Sequence, residues 1–131
     1  MHRKHNALRD LTGDLLRQAG IFCTLEANLP GSTDRPADVL VACGLSPRHL
    51  ALDISIVHTF ASSQHHVEPS AGRAAADHEK AKVTKSRDAC NTAGLDFTPV
   101  VAETTGVWGK KAEHFYNTLS QKIALRSGTP V

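Results

Sequence analysis

Two aspartates and one lysine are the residues of this chain best placed by type and spacing to do chemistry. Asp38 lies in the apolar run Pro36-Ala-Asp38-Val-Leu-Val41, and Asp53 lies fifteen residues further on in Leu50-Ala-Leu-Asp53-Ile-Ser-Ile-Val57. An ionised carboxylate taken out of water costs several kcal/mol unless it is paired or coordinates a cation. Two such acids near the ends of neighbouring apolar runs therefore suggest a divalent-cation site, against the plainer alternative of salt-bridged or turn-facing acids. Lys82 belongs to the long helical segment 71–93. Projected at 100° per residue, Ala75, Glu79, Lys82, Ser86, Ala89 and Ala93 fall in one stripe about 80° wide. A helix facing only core would carry Leu or Ala there, so Lys82 should point toward the sheet. An inward ammonium close to two carboxylates is either a structural ion pair or a group that offsets negative charge on a reacting phosphate. Lys85 lies at the rim of the stripe, within reach of a phosphate backbone.

The chain has 131 residues, enough for one domain with one core spanning 1–131. Its 40% hydrophobic and 21% charged content is that of a globular protein. No run approaches the ~20 apolar residues of a membrane span, so no membrane partner is expected. The basic start, Met-His-Arg-Lys-His, leads into a polar amphipathic segment and not into the apolar core of a secretory signal. The expected address is intracellular, with nucleus and cytoplasm undistinguished. Cys23, Cys43 and Cys90 are widely spaced and contain no C-x-x-C, which fits small core residues better than disulfides or a zinc knuckle. A net charge of +2 is too small to imply a nucleic-acid partner, so local clusters decide. Those clusters make Lys80, Lys85, Arg87, Lys110 and Lys111 the candidates for nucleic-acid contact.

These groups need elements to hold them. Leu8, Leu11, Leu15 and Leu16 recur at helical spacing over 6–19, with Gly20 as a stop. Residues 21–26 read as a strand ended by the turn Pro30-Gly31-Ser32, residues 37–42 as a second, and residues 50–59 as a third, the most apolar and so the most central. A polar loop with His65 and His66 follows, then the helix 71–93 closed by Gly94. Residues 97–103 form a fourth strand whose Pro99 favours an edge or a strand start, and a last helix runs from 110 to about 125. The tail 126–131 should fray. Three hairpin-linked strands followed by a helical crossover imply an α/β fold of order α-β-β-β-α-β-α, a four-stranded mixed sheet flanked by helices. Strand alternation puts Asp53, Ser55 and Val57 on one face of the third strand, with Leu52, Ile54 and Ile56 on the other.

This arrangement resembles the restriction-endonuclease-like, or PD-(D/E)XK, nucleases over nearly the whole chain. In that family the first aspartate follows a proline, as in Arg35-Pro36-Ala37-Asp38, and the next strand carries a D/E-x-K tripeptide, here Asp53-Ile54-Ser55. Many branches move the lysine to the following helix, where Lys82 and Lys85 stand. The succession Arg-Pro-x-Asp, Leu-Asp-Ile-Ser-x-Val, Lys-x-x-Lys, Ala-Cys with Gly-x-x-Phe-x-Pro, and Glu-Thr-x-Gly is similar to the endonuclease domains of site-specific retrotransposon reverse transcriptases. The resemblance implies a metal-dependent endonuclease that hydrolyses phosphodiester bonds in DNA. It implies Mg2+ or Mn2+ on Asp38, Asp53 and the Ile54 carbonyl, and Lys82 or Lys85 assisting, with Glu26 and Glu79 as weaker candidate ligands for a second ion. It further implies attachment to a larger polyprotein or reverse transcriptase, and a homodimer where both strands are cut. Serine at 55 departs from the pattern and sustains a second reading, a DNA-binding module of the same fold without the chemistry; a third is a small structural or assembly domain whose basic helix docks on a partner protein.

Other candidates have plain explanations. Glu26 reads as an exposed strand-end acid, and Glu79 as a partner of Lys80 or Lys82 along the helix. Glu103, beside Thr104 and Thr105, would cap the last loop. His58, His65 and His66 form the nearest histidine cluster but read as solvent groups more readily than as zinc ligands. Trp108, between Gly106 and Gly109, reads as a hydrophobic plug in preference to a base-stacking platform.

Overall fold

The structure, a computed structural model, describes residues 2–28, 36–42, 44–58 and 72–128. The elements follow in the order α1 (His2–Gln18), β1 (Cys23–Asn28), β2 (Pro36–Val41), β3 (Leu50–Val57), α2 (Arg73–Thr92), β4 (Asp96–Glu103) and α3 (Lys110–Ser127). The strands make one sheet in the order β1-β2-β3-β4, antiparallel from β1 to β3 and parallel between β3 and β4. This is the expected α/β architecture, with β3 central and the proline-bearing β4 on an edge. Some boundaries differ from those read in the sequence. The first helix begins four residues earlier, and β1 runs two residues later, to Asn28. Arg126 and Ser127 belong to α3 and not to a frayed tail. The turn Pro30-Gly31-Ser32, Cys43, and the loop with His65 and His66 lie outside the described residues. No described helix is long and apolar enough to cross a membrane.

The sheet separates two apolar clusters. On one face Leu16 of α1 and Ala112, Phe115 and Leu119 of α3 pack with Val39, Val41, Leu50, Leu52, Ile54 and Val100. On the other, Cys90 of α2 packs with Ala51, Leu95 and Ala37, and with the half-buried Leu40 and Phe97. Alternation along β3 therefore holds, with even residues toward α1 and α3 and odd residues toward α2. α1 closes where Gly20, at φ 74°, lets the Ile21 N–H return 2.9 Å to the Leu16 carbonyl. The turn before β3 is pinned to the start of β4: Ser46 and Arg48 both donate to the Asp96 carboxylate and hold it below its ordinary pKa.

Two buried carboxylates fix how the helices meet the sheet. Neither Gly72 nor Gly109, which precede α2 and α3, offers a side-chain cap. Glu103, 2% exposed at the end of β4, accepts from the Ala75 N–H in the first turn of α2 at 3.1 Å. It caps α2, therefore, and not the last loop. Glu79 of α2 in turn accepts from the Lys111 N–H of α3 at 2.9 Å. Both supply from a distant segment the acceptor and negative charge that a helix start favours. A Cβ at Gly109 would collide with the Glu79 carboxylate, 2.6 Å from its Cδ. Glu79→Ala should cost about 1–2 kcal/mol, the range for a lost cap, and Gly109→Ala should also destabilise. Since both act on one contact, the double variant should cost clearly less than their sum in urea unfolding.

Candidate functional site

Asp38 and Asp53 stand level on β2 and β3, near enough for the charge of Asp53 to act on Asp38, with Asp38 meeting α1 and Asp53 meeting α2 on opposite faces of the sheet. The register pairs Val39 with Leu52, which brings Asp38 level with Asp53, yet the ladder stops short of that pair. On the other side β1 pairs Leu25 with Val39 and Ala27 with Ala37, so Glu26 is level with Asp38. Three carboxylates thus stand in one row across three strands. Each is met by a basic side chain from a helix: Glu26 by Arg9 Nη1 at 2.5 Å, Asp38 Oδ1 by His5 Nε2 at 3.3 Å, and Asp53 Oδ2 by Lys82 Nζ at 3.0 Å.

The row breaks the regular pleat. Leu25 and Val39 pack on the α1 side, so strict alternation would turn Glu26 and Asp38 away from α1, yet both touch it. Glu26 has φ 52°, an unusual value for a side chain of this kind. Ala37 falls in the α2-side cluster although its alternation partner Val39 lies on the α1 side. The chain is therefore rotated at Asp38, whose Oδ2 accepts the Ile54 N–H at 2.7 Å. That N–H would face Ala37 in a continued ladder. The carboxylate replaces a strand partner and opens the sheet at the level of the acids.

The electrostatics follow from this burial. Burial pushes the Asp38 carboxyl above its ordinary pKa, the Ile54 N–H and His5 partly offset that, and the charge of Asp53 pushes it further up. Lys82 lies inward as expected: its side chain is 15% exposed and that of Asp53 17%. Lys85, about one turn further along α2, is exposed; Lys80, two residues before Lys82, and Arg87, five after it, are exposed as well. His78, one turn before Lys82, is half-buried; burial first and Lys82 second depress its pKa, while Asp53 opposes them.

Other sequence candidates take different places. Glu79 is committed to the start of α3, and Glu26 to Arg9. Lys110 and Lys111 line a cavity of about 410 Å³ with Leu50, Thr98, His114 and Phe115. That cavity lies on the α3 face of the sheet, away from the Asp53–Lys82 pair on the α2 face. Trp108 packs edge-on against Tyr116, ring centroids 5.2 Å apart, beside an apolar groove formed with Leu8, Leu11 and Leu15. His5 and His78 were not singled out in the sequence. His78 had a legible signal, four residues before Lys82 and so on nearly the same helix face. His5 had none, since only the fold carries α1 to β2.

Among the described residues no three or more His, Cys, Asp or Glu side chains form a ready-made metal cage. Two carboxylates can still suffice for Mg2+, which keeps several waters and takes one or two protein carboxylates plus substrate phosphate oxygens. Burial is the main cause of the raised Asp38 pKa and the charge of Asp53 a lesser one; two carboxylates level on neighbouring strands are donors of the kind Mg2+ takes. The chain matches no protein-family model and no curated protein sequence.

The arrangement predicts how His78 titrates. Lys82→Met should raise its pKa and Asp53→Asn should lower it, as followed by NMR of the ring protons. Because its folded pKa lies below the unfolded 6.5, the neutral ring's contribution to stability should be complete above that value. It should be lost as pH falls toward the folded pKa.

Proposed function

We propose that the domain is a metal-dependent DNA endonuclease of the restriction-endonuclease-like type, with Asp38, Asp53 and Lys82 as its centre. The observation that carries this reading is the inward Lys82 ammonium 3.0 Å from Asp53, itself level with the buried Asp38. The order α-β-β-β-α-β-α and the sheet order β1-β2-β3-β4 support the same reading.

In this reading Asp38 and Asp53, with the Ile54 carbonyl that the resemblance adds, would hold Mg2+ or Mn2+. Such an ion, when bound, polarises the scissile phosphate and makes water a better nucleophile at neutral pH. Asp38 is kept in place by the Ile54 N–H, so its oxygens are oriented before substrate arrives. Lys82 stays docked on Asp53 and supplies fixed positive charge where charge builds on the phosphate oxygens. The exposed Lys80, Lys85 and Arg87 on α2 would hold the DNA backbone near this centre, by contacts that weaken with salt. Ser55 adds no charge, and it supports one competing reading, a DNA-binding module of the same fold without cleavage. Attachment to a reverse transcriptase or larger polyprotein, and dimerisation for double-strand cleavage, belong to this proposal as its partners.

With Mg2+ or Mn2+ the protein should nick supercoiled plasmid. Asp38→Asn and Asp53→Asn should abolish nicking while leaving the circular dichroism spectrum intact. Lys82→Ala should slow it roughly 100-fold or more, the scale of one lost charge-stabilising donor, and Lys85→Ala should weaken DNA binding more than the rate. Nicking unchanged in both aspartate variants would end the proposal. A salt-sensitive DNA shift without nicking would establish the binding module.

A further inference from the structure

We infer that the cavity on the α3 face of the sheet binds a phosphate monoester carried on a flat apolar body, as in a nucleoside monophosphate or the phosphorylated end of a nucleic-acid strand. The inference is independent of the cleavage reading, since it uses neither aspartate, nor Lys82, nor a metal ion. The cavity lies between α3 and the strands β3 and β4 and holds about 410 Å³, at the smaller end of the ~300–1,000 Å³ usual for small-molecule sites. It therefore suits a single nucleotide and not a run of them.

The lining is graded from apolar to basic. Leu50 of β3 and Phe115 of α3 are buried and form the apolar part, Thr98 and Thr118 are half-buried and bring hydroxyls, and Lys110, Lys111 and His114 are exposed. Lys111, His114, Phe115 and Thr118 recur at helical spacing, so one face of α3 carries the whole gradation. None of the lining residues is acidic. Among the described residues no carboxylate is ion-paired with Lys110, Lys111 or His114. The acids that touch this wall are already engaged: Asp96 accepts from Ser46 and is paired with Arg48 at 3.0 Å, and Glu79 accepts the Lys111 N–H. Two lysines without a counter-ion at the mouth of a cavity match the charge of a phosphate monoester, through charge-assisted contacts. The Phe115 ring and Leu50 offer apolar area that a base fills and a bare phosphate does not. The threonine hydroxyls both donate and accept, which suits the sugar and base edges between the two.

The test is run in EDTA on the purified chain, so that no metal-dependent binding at the aspartates enters it. AMP, inorganic phosphate and adenosine are titrated separately by calorimetry, and the His114 ring and Thr118 methyl are followed by NMR with AMP. AMP should bind at least about 10-fold more tightly than phosphate or adenosine, the scale of one charge-assisted contact, and should shift both signals. Lys110→Gln combined with Lys111→Gln should weaken AMP about 10-fold or more and leave adenosine unchanged. Lys4→Gln, an equivalent loss of charge on α1, should leave AMP unchanged. A short 5′-phosphorylated oligonucleotide and its unphosphorylated counterpart distinguish the two sources. Tighter binding of the phosphorylated strand than of AMP identifies a strand end, and AMP binding without the strand identifies a free nucleotide. Phosphate bound as tightly as AMP, AMP binding that survives the double lysine change, unmoved His114 and Thr118 signals, or no binding of AMP or strand would each overturn the assignment. Each of those results would leave the nuclease reading standing.

Discussion

The placing of α1 and α2 around the middle of the sheet is tied to how three carboxylates level across its strands are neutralised. Glu26, Asp38 and Asp53 are level across β1, β2 and β3, and of these the charge of Asp53 acts on the buried Asp38, while Glu26 is exposed. Arg9 and His5 of α1 and Lys82 of α2 provide their basic partners from opposite sides of the sheet. The acids thus add polar contacts to the apolar packing by which α1 and α2 cover the two faces of these strands. The cost falls on Asp38, whose burial and nearness to Asp53 raise its proton affinity. A row that only closed the fold would be better served by apolar residues, since replacing a buried ion pair with well-packed hydrophobes is often neutral or stabilising.

The helix carrying Lys82 is not free to drift. Its start is held by Glu103 at the end of β4, and its middle is tied through Glu79 to the start of α3. Lys82 follows Glu79 by three residues and His78 by four, so the anchored turn and the turn that faces Asp53 are adjacent. Without that anchoring a long lysine stem would lose rotamer freedom to reach a single geometry. The two glycines before α2 and α3 make sense on the same grounds, since distant carboxylates supply the missing caps and a side chain at Gly109 would obstruct one of them.

Much of this was legible in the sequence, because periodicity reports burial directly. The order of elements, the mixed sheet, the edge position of β4 and the inward face of Lys82 all follow from apolar spacing in the strands and from the alanine stripe of α2. What escaped is non-local. Glu79 carried two local readings, a helix pair and a metal ligand, but its partner is a backbone N–H thirty-two residues away. Glu103 likewise reaches back to Ala75. The departure of Glu26 and Asp38 from alternation left no trace either, since it arises from a left-handed φ at an ordinary glutamate and from a side chain taking the place of a strand. His5 became visible only when the fold laid α1 against β2.

The serine at position 55 tests whether a lysine must belong to the strand. The proposed chemistry would require an ammonium at a point beside Asp53, whichever Cα carries it. Ser55 lies on the same face of β3 as Asp53, the face covered by α2, and it is small and half-buried. That leaves room for the Lys82 side chain, which is mostly enclosed there, whereas the exposed Lys85 is not. A lysine at 55 together with one at 82 would crowd two ammoniums around one carboxylate and raise the repulsion that the present arrangement avoids. Serine on the strand and lysine on the helix together place one ammonium beside Asp53, so the site keeps a positive charge where the tripeptide of the nucleases it resembles would carry one.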